Sequence, residues 1–120
     1  CDWSSDVCSS DLLHFQFVLG VPGGMRATVE NLMFLKSLIP ADSTWGALGI
    51  GKQHLPIMYA ALALGGNVRV GMEDNIYYRF GELAKSNVDF IERTKRIVTE
   101  LDKQIATPAE ARAILGLKNC

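Results

Sequence analysis

No run of apolar residues approaches the roughly 20 needed for a helix to cross a bilayer, so the sequence offers no membrane-spanning helix. There is no excess of one charge either. Twelve lysines and arginines face thirteen aspartates and glutamates, a formal net charge of −1. That balance argues against a nucleic-acid partner, which calls for a basic footprint. Histidine is scarce, with His14 and His54 alone and no His-x-His pair. A catalytic zinc site needs about three protein ligands, so none is complete here. No Walker A loop is present. Gly49-Ile50-Gly51-Lys52-Gln53-His54 fails the dinucleotide fingerprint, because His54 stands where the third glycine belongs. No Ser/His/Asp or Cys/His set has an obvious arrangement. What remains is an ordinary globular composition, 48% hydrophobic and 21% charged.

Cysteine is also scarce: Cys1, Cys8 and Cys120. The first two lie in residues 1–12, CDWSSDVCSSDL, which do not fit the rest of the chain. This segment has no Lys or Arg, no helical or strand periodicity, and neither the cationic start nor the apolar centre of a signal peptide. It resembles the in-frame translation of a sequencing adapter, so we expect 1–12 to be non-native and exclude it from fold reasoning. No disulfide framework then remains, and a reducing cytoplasm is the expected compartment. Removing Asp2, Asp6 and Asp11 leaves the charge close to neutral. The native N-terminus is expected to be missing, and residues 13–120 to be part of a domain.

Within 13–120 a pattern repeats. Leu13–Leu19 is an apolar, aromatic run that reads as a buried strand, with His14 packed within it. After the loop Gly20–Met25, Thr28 is placed to cap a helix carrying Val29, Leu32, Met33, Leu35 and Ile39, which Pro40 ends. Thr44–Ile50 is a second strand and Gly51–His54 a loop. Leu55–Leu64 is a nearly all-apolar helix with Pro56 in its first turn and Gly65-Gly66 as its stop. Asn67–Met72 is a third strand and Glu73–Lys85 a long loop. Ser86 with Asp89 three residues on opens a helix whose apolar stripe is Phe90, Ile91, Thr94, Ile97, Val98 and Leu101. Thr107-Pro108-Ala109-Glu110 starts a last short helix that stops at Gly116. Apolar strands alternating with helices imply a parallel sheet with covered faces. Three such units bury their strands poorly and need neighbours. Periodicity alone admits a closed barrel or a doubly wound sheet.

In either architecture function sits at the C-terminal ends of the strands. Three loops fall there: Gly20–Thr28, Gly49–His54 and Met72–Lys85. In the third, Arg69 and Glu73 are four residues apart and share one face of an extended chain, while Asp74 faces the other way until the chain turns. An arginine turned into a barrel is a buried cation needing a carboxylate partner. An arginine and a carboxylate at a barrel mouth can hold a metal or an anionic substrate; they can also form an ion pair that plugs the barrel, the reading that pattern alone favours. Gly23 and Gly24 allow close approach of a ligand to the backbone, and Gly51 and Lys52 can meet a phosphate. A plain glycine turn and a structural His54 are the competing readings.

Taken together, Val-Leu-Gly-Val-Pro-Gly-Gly-Met (18–25), Leu-Gly-Ile-Gly-Lys (48–52), Gly-Gly-Asn-Val-Arg-Val-Gly-Met-Glu-Asp-Asn (65–75) and Ala-Thr-Pro-Ala-Glu-Ala-Arg-Ala-Ile-Leu-Gly-Leu (106–117) resemble the β-keto acid cleavage enzymes. That family includes the 3-keto-5-aminohexanoate cleavage enzymes of lysine fermentation. The resemblance covers essentially all of 15–117, with the motifs in order. It implies an α/β chain forming the C-terminal three βα units of a (β/α)₈ TIM barrel plus a final short helix. It implies a zinc-dependent transferase that cleaves a β-keto acid with acetyl-CoA, giving acetoacetate and/or acetoacetyl-CoA and an acyl-CoA product. Glu73 would be a zinc ligand, Asp74 the catalytic aspartate that helps generate an enolate, and Arg69 the residue that orients Asp74 and steadies negative charge. The His-x-His pair that completes the zinc site would lie outside this chain. Gly23, Gly24, Gly51 and Lys52 are the expected substrate- or CoA-binding positions. The expected partners are the small-molecule substrates and, for the intact enzyme, further copies of itself. Two other readings stay open: a small α/β module that holds a phosphate-bearing ligand, and a barrel lyase or aldolase of other specificity.

Overall fold

The computed structural model describes residues 13–117. The adapter-like segment 1–12 and Cys120 lie outside the described residues.

Strand β1 runs over His14–Leu19, helix α1 over Val29–Leu38, strand β2 over Thr44–Gly49 and helix α2 over His54–Ala63. A 3₁₀ turn at Gly51–Gln53 leads into α2. Strand β3 is short, Asn67–Val68. β1 and β3 both pair with β2 in parallel, in the order β1-β2-β3. Successive strands are neighbours, so every connection is a single βα step. Among the described residues β1 and β3 are the edges of this sheet.

Helices α1 and α2 share one face of the sheet. Phe15, Phe17 and Leu19 of β1 and Trp45 and Ala47 of β2 form one cluster with Leu32 of α1 and with Ile57 and Ala61 of α2. Leu19, Leu32 and Ile57 have no exposure at all, and each such burial contributes about 1.5–3 kcal/mol. Strand residues alternate between faces, so His14, Gln16 and Val18 point the other way and are exposed. His14 is therefore not packed within the strand as expected. Its Nδ1 meets Thr44 Oγ1 at 2.8 Å at the sheet margin.

Local signals explain most element ends. Thr28 caps α1 by accepting from Asn31 N at 3.1 Å. Gly65, at φ +83°, turns the chain out of α2 while Gly66 N donates to Ala61 O. Gly49 has no room for a side chain: a Cβ there would lie 2.7 Å from the Gln53 carbonyl oxygen and 3.0 Å from Ile57. Gly49→Ala in the intact protein should cost about 1–3 kcal/mol, read as a lowered denaturant midpoint at unchanged slope.

The third unit departs from expectation in three ways. The strand stops at Val68 rather than Met72, because the chain turns at Gly71, whose carbonyl accepts from Asp74 N and Asn75 N. The segment expected as loop contains an antiparallel hairpin, β4 (Tyr77–Arg79) and β5 (Glu82–Leu83), turning at Phe80 and Gly81. Helix α3 spans Asn87–Glu100, but the Ser86 side chain makes no capping bond. Asp89 instead accepts from Lys85 N at 2.8 Å. Phe90, Thr94, Ile97 and Val98 form its buried stripe, whereas Ile91 and Leu101 are exposed and Arg93 is buried among the apolar residues. α3 packs through Ile97 and Val98 onto Met58 and Leu62 of α2. The last helix, α4 (Pro108–Ile114), carries the expected capping box between Thr107 and Glu110.

Candidate functional site

The C-terminal end of β3 gathers the three residues that the sequence singled out. Ala47 pairs with Val68 in register, and Arg69 N still donates to Ala47 O at 3.3 Å. Since Val68 packs with the helices, Arg69 leaves from the opposite face of the sheet. Its side chain is 47% exposed, not buried.

The turn at 72–74 brings Glu73 and Asp74 to the same arginine. Arg69 Nη2 lies 3.2 Å from Glu73 Oε1, and Arg69 Nε lies 3.4 Å from Asp74 Oδ2. Asp74 thus does not face away. Three contacts fix the turn: Met72 N donates to Asn87 Oδ1 at 2.8 Å, Gly51 N donates to Asp74 O at 3.1 Å, and the Asn75 amide bridges to the backbone of Tyr77. Gly71 is buried against the Glu73 carboxylate, where a Cβ would overlap it.

The two acids differ in setting. The Glu73 side chain is 54% exposed. Hydrogen bonding from its own backbone, then the Arg69 guanidinium, holds its carboxyl below the usual glutamate range. Asp74 is only 10% exposed, and its Oδ2 accepts no hydrogen bond of normal geometry. The contact with Arg69 is an ion pair that leaves carboxylate lone pairs uncommitted.

Other expected positions divide. Gly51 takes φ +69° and anchors Asp74, and Lys52 beside it is exposed. Gly23 and Gly24 form an exposed turn of their own, with Gly24 N bonded to Val21 O; none of the contacts described ties them to Arg69. Among the described residues no three His, Cys, Asp or Glu side chains gather where a metal could sit.

Arg93 is not among the residues expected here, whereas a structural His54 is one of the readings that the sequence offers. His54 is 3% exposed, edge-on to Phe90 with ring centroids 5.4 Å apart. Burial first, then Arg93, lowers its pKa against an opposing pull from Asp74. The neutral ring is therefore the folded form. Below about pH 6.5 the unfolded chain takes up a proton that the folded one resists. Stability should fall as pH drops from that point, and His54→Gln should flatten this limb in urea titrations between about pH 6.5 and 5.

The chain matches the family described as beta-keto acid cleavage enzyme over residues 5–117. It is 48% identical over 106 residues to a 3-keto-5-aminohexanoate cleavage enzyme of Fusobacterium nucleatum, and 44% identical over 105 residues to one of Acetoanaerobium sticklandii. It is 39% identical over 109 residues to a 3-oxoadipate:acetyl-CoA acetyltransferase of Cupriavidus necator. In each comparison 88% of this chain is covered, and the chain spans 38% of the relative's length. The matched range includes Arg69, Glu73 and Asp74, and on its extent the chain belongs to the beta-keto acid cleavage enzyme family.

Proposed function

We propose that the chain is the C-terminal part of a (β/α)₈-barrel enzyme that exchanges acyl groups between a β-keto acid and acetyl-CoA. Three adjacent parallel strands with α1 and α2 on one face suit a barrel segment better than a doubly wound sheet, which carries helices on both faces. A complete barrel takes about 250 residues, in keeping with the share of each relative that this chain spans. The observation that carries the reading is the fork of Arg69 onto Glu73 and Asp74 at a strand's C-terminal end.

In the proposed reaction the C2–C3 bond of the β-keto acid breaks. The departing two-carbon carboxylate unit joins the acetyl group as acetoacetate, and the remaining acyl group is left on CoA. Asp74 is the base that takes a proton from the substrate carbon; its unbonded Oδ2 suits that role. Arg69 positions Asp74 and faces the negative charge that develops. Glu73 is a hard oxygen donor kept ionised and half-exposed at the strand end, and it fits as one ligand of a zinc ion. Among the described residues no three side chains of metal-binding type gather here, so the set would be completed by the rest of the enzyme. Zinc, when bound, would supply Lewis-acid polarisation of the substrate oxygens. The exposed side chains of Met33, Phe34 and Leu38 on α1 would be covered in the intact enzyme by neighbouring helices or a second subunit. No described helix is long and apolar enough to cross a membrane; a cytoplasmic setting belongs to the same proposal.

The test supplies the intact enzyme with acetyl-CoA labelled in the acetyl carbons and a panel of β-keto acids. Label should appear in acetoacetate, with the substrate's acyl group on CoA. Cleavage without transfer of label would assign the barrel to another lyase chemistry.

A further inference from the structure

A cavity of about 700 Å³ lies beside the Arg69 cluster, between the turn at Gly51, the start of α2, the β4–β5 hairpin and α3. Lys52, His54, Tyr78, Arg79, Phe80 and Arg93 are among the residues that line it, and no aspartate or glutamate does. Arg69, Glu73 and Asp74 are not part of its wall. Asn75 is, and the Gly51–Asp74 backbone bond joins the two places.

Arg93 is the telling residue. It is 8% exposed, yet among the described residues no carboxylate pairs with it. One guanidinium nitrogen donates to the Tyr78 carbonyl, and the group lies over the Tyr78 ring at 4.2 Å. Its Nη2 has no hydrogen-bond partner among the described residues, and neither does Nε2 of His54 in the same wall. A buried cation that lacks a counter-charge is costly unless a ligand supplies one. Lys52 and Arg79 stand exposed at the margin, and Phe80 at the hairpin tip is fully exposed. Convergent cations without acids suit phosphate, and exposed aromatic faces suit a planar base.

We propose that this cavity receives the phosphorylated nucleotide end of the CoA co-substrate, with Arg93 as the buried phosphate contact and Lys52 and Arg79 at the rim. The assignment rests on the acetyl-CoA reading above. It places the nucleotide at the hairpin and lets the pantetheine arm run past Asn75 toward Asp74. The same cations could instead meet the carboxylate of the keto acid, and the experiment separates the two sources.

The intact enzyme is titrated with adenosine 3′,5′-bisphosphate by calorimetry, and KM is measured for each substrate. Arg93→Gln should weaken the bisphosphate and raise the KM for acetyl-CoA by about 10-fold or more, as expected when a charged hydrogen bond is lost. The KM for the keto acid should stay within about twofold, and Arg93→Lys should recover part of the loss. The rim double variant Lys52→Gln/Arg79→Gln disturbs no buried group and should show the same selective effect, which keeps the test alive if Arg93→Gln does not fold. Bisphosphate affinity that depends on these cations in a protein lacking acetyl transfer would uphold the nucleotide site while removing the proposed reaction. Unchanged bisphosphate affinity in the rim double variant, or a rise confined to the KM for the keto acid, would overturn the assignment.

Discussion

Asp74→Asn in the intact enzyme should lower kcat by about 10²–10⁴-fold, the range by which a positioned general base accelerates proton transfer, with both KM values nearly unchanged. Asparagine keeps the shape of the side chain and can stay beside Arg69 Nε, now 3.4 Å from Asp74 Oδ2. It cannot take a proton. The backbone anchors of this residue, Asp74 N to Gly71 O and Gly51 N to Asp74 O, do not involve the side chain, so the thermal midpoint should barely move. Steady-state kinetics beside a melting curve reads both. A kcat within about tenfold of the parent would show that another group is the base.

Arg69→Met should be comparably damaging for a different reason. A single guanidinium serves both acids, through Nη2 to Glu73 and through Nε to Asp74. Removing it deprives two adjacent carboxylates of their shared cation. Loss of one such electrostatic partner costs about 10²–10³ in rate. Arg69→Lys should recover only part of this, because one ammonium keeps the charge without the two-pronged reach. The titration of Glu73 should change too. The Glu73 carboxyl is held low first by its backbone hydrogen bond and then by Arg69. A depressed carboxyl stays ionised until pH falls through its folded value. Without Arg69 the carboxyl moves back up, though not fully, since the backbone bond remains. In zinc-free protein the Glu73 carboxyl should titrate at higher pH in Arg69→Met than in the parent, read by NMR. An unshifted Glu73 titration together with full activity in Arg69→Lys would contradict a shared role for the arginine.

The sequence made the first two βα units legible because their signals are local. Phe15, Phe17 and Leu19 alternate on one strand face, Thr28 caps α1, and Gly65-Gly66 closes α2. The third unit depends on contacts far along the chain. Alternation along an extended strand puts Glu73 and Asp74 on opposite faces. They converge on Arg69 because Gly71 O accepts two backbone bonds and Asn87, fifteen residues beyond Met72, holds the turn from the start of α3. The hairpin did carry a local sign: Tyr77-Tyr78-Arg79 and Glu82-Leu83 flank Gly81, which sits at φ +75°. Its strands are too short for alternation to reveal them. Arg93 falls on the buried stripe of α3, where spacing calls for an apolar residue. Its partner is the Tyr78 carbonyl of a hairpin that the sequence did not show. His54 likewise becomes part of a cavity wall only once that hairpin is in place. The family resemblance assigned roles to Arg69, Glu73 and Asp74, whereas pattern alone favoured an ion-pair plug. The structure adds a shared cation and a sharp difference in burial between the two acids.

The central claim is that this cluster is one wall of a zinc-dependent active site. The most direct measurement is an anomalous difference map of the intact protein at the zinc edge. The account predicts a peak about 2.0–2.2 Å from a Glu73 carboxylate oxygen, with the remaining protein ligands coming from residues outside this chain. A zinc-free map from protein that transfers acetyl groups at full rate, or a peak remote from Glu73 with the Arg69–Glu73 pair intact, would contradict it.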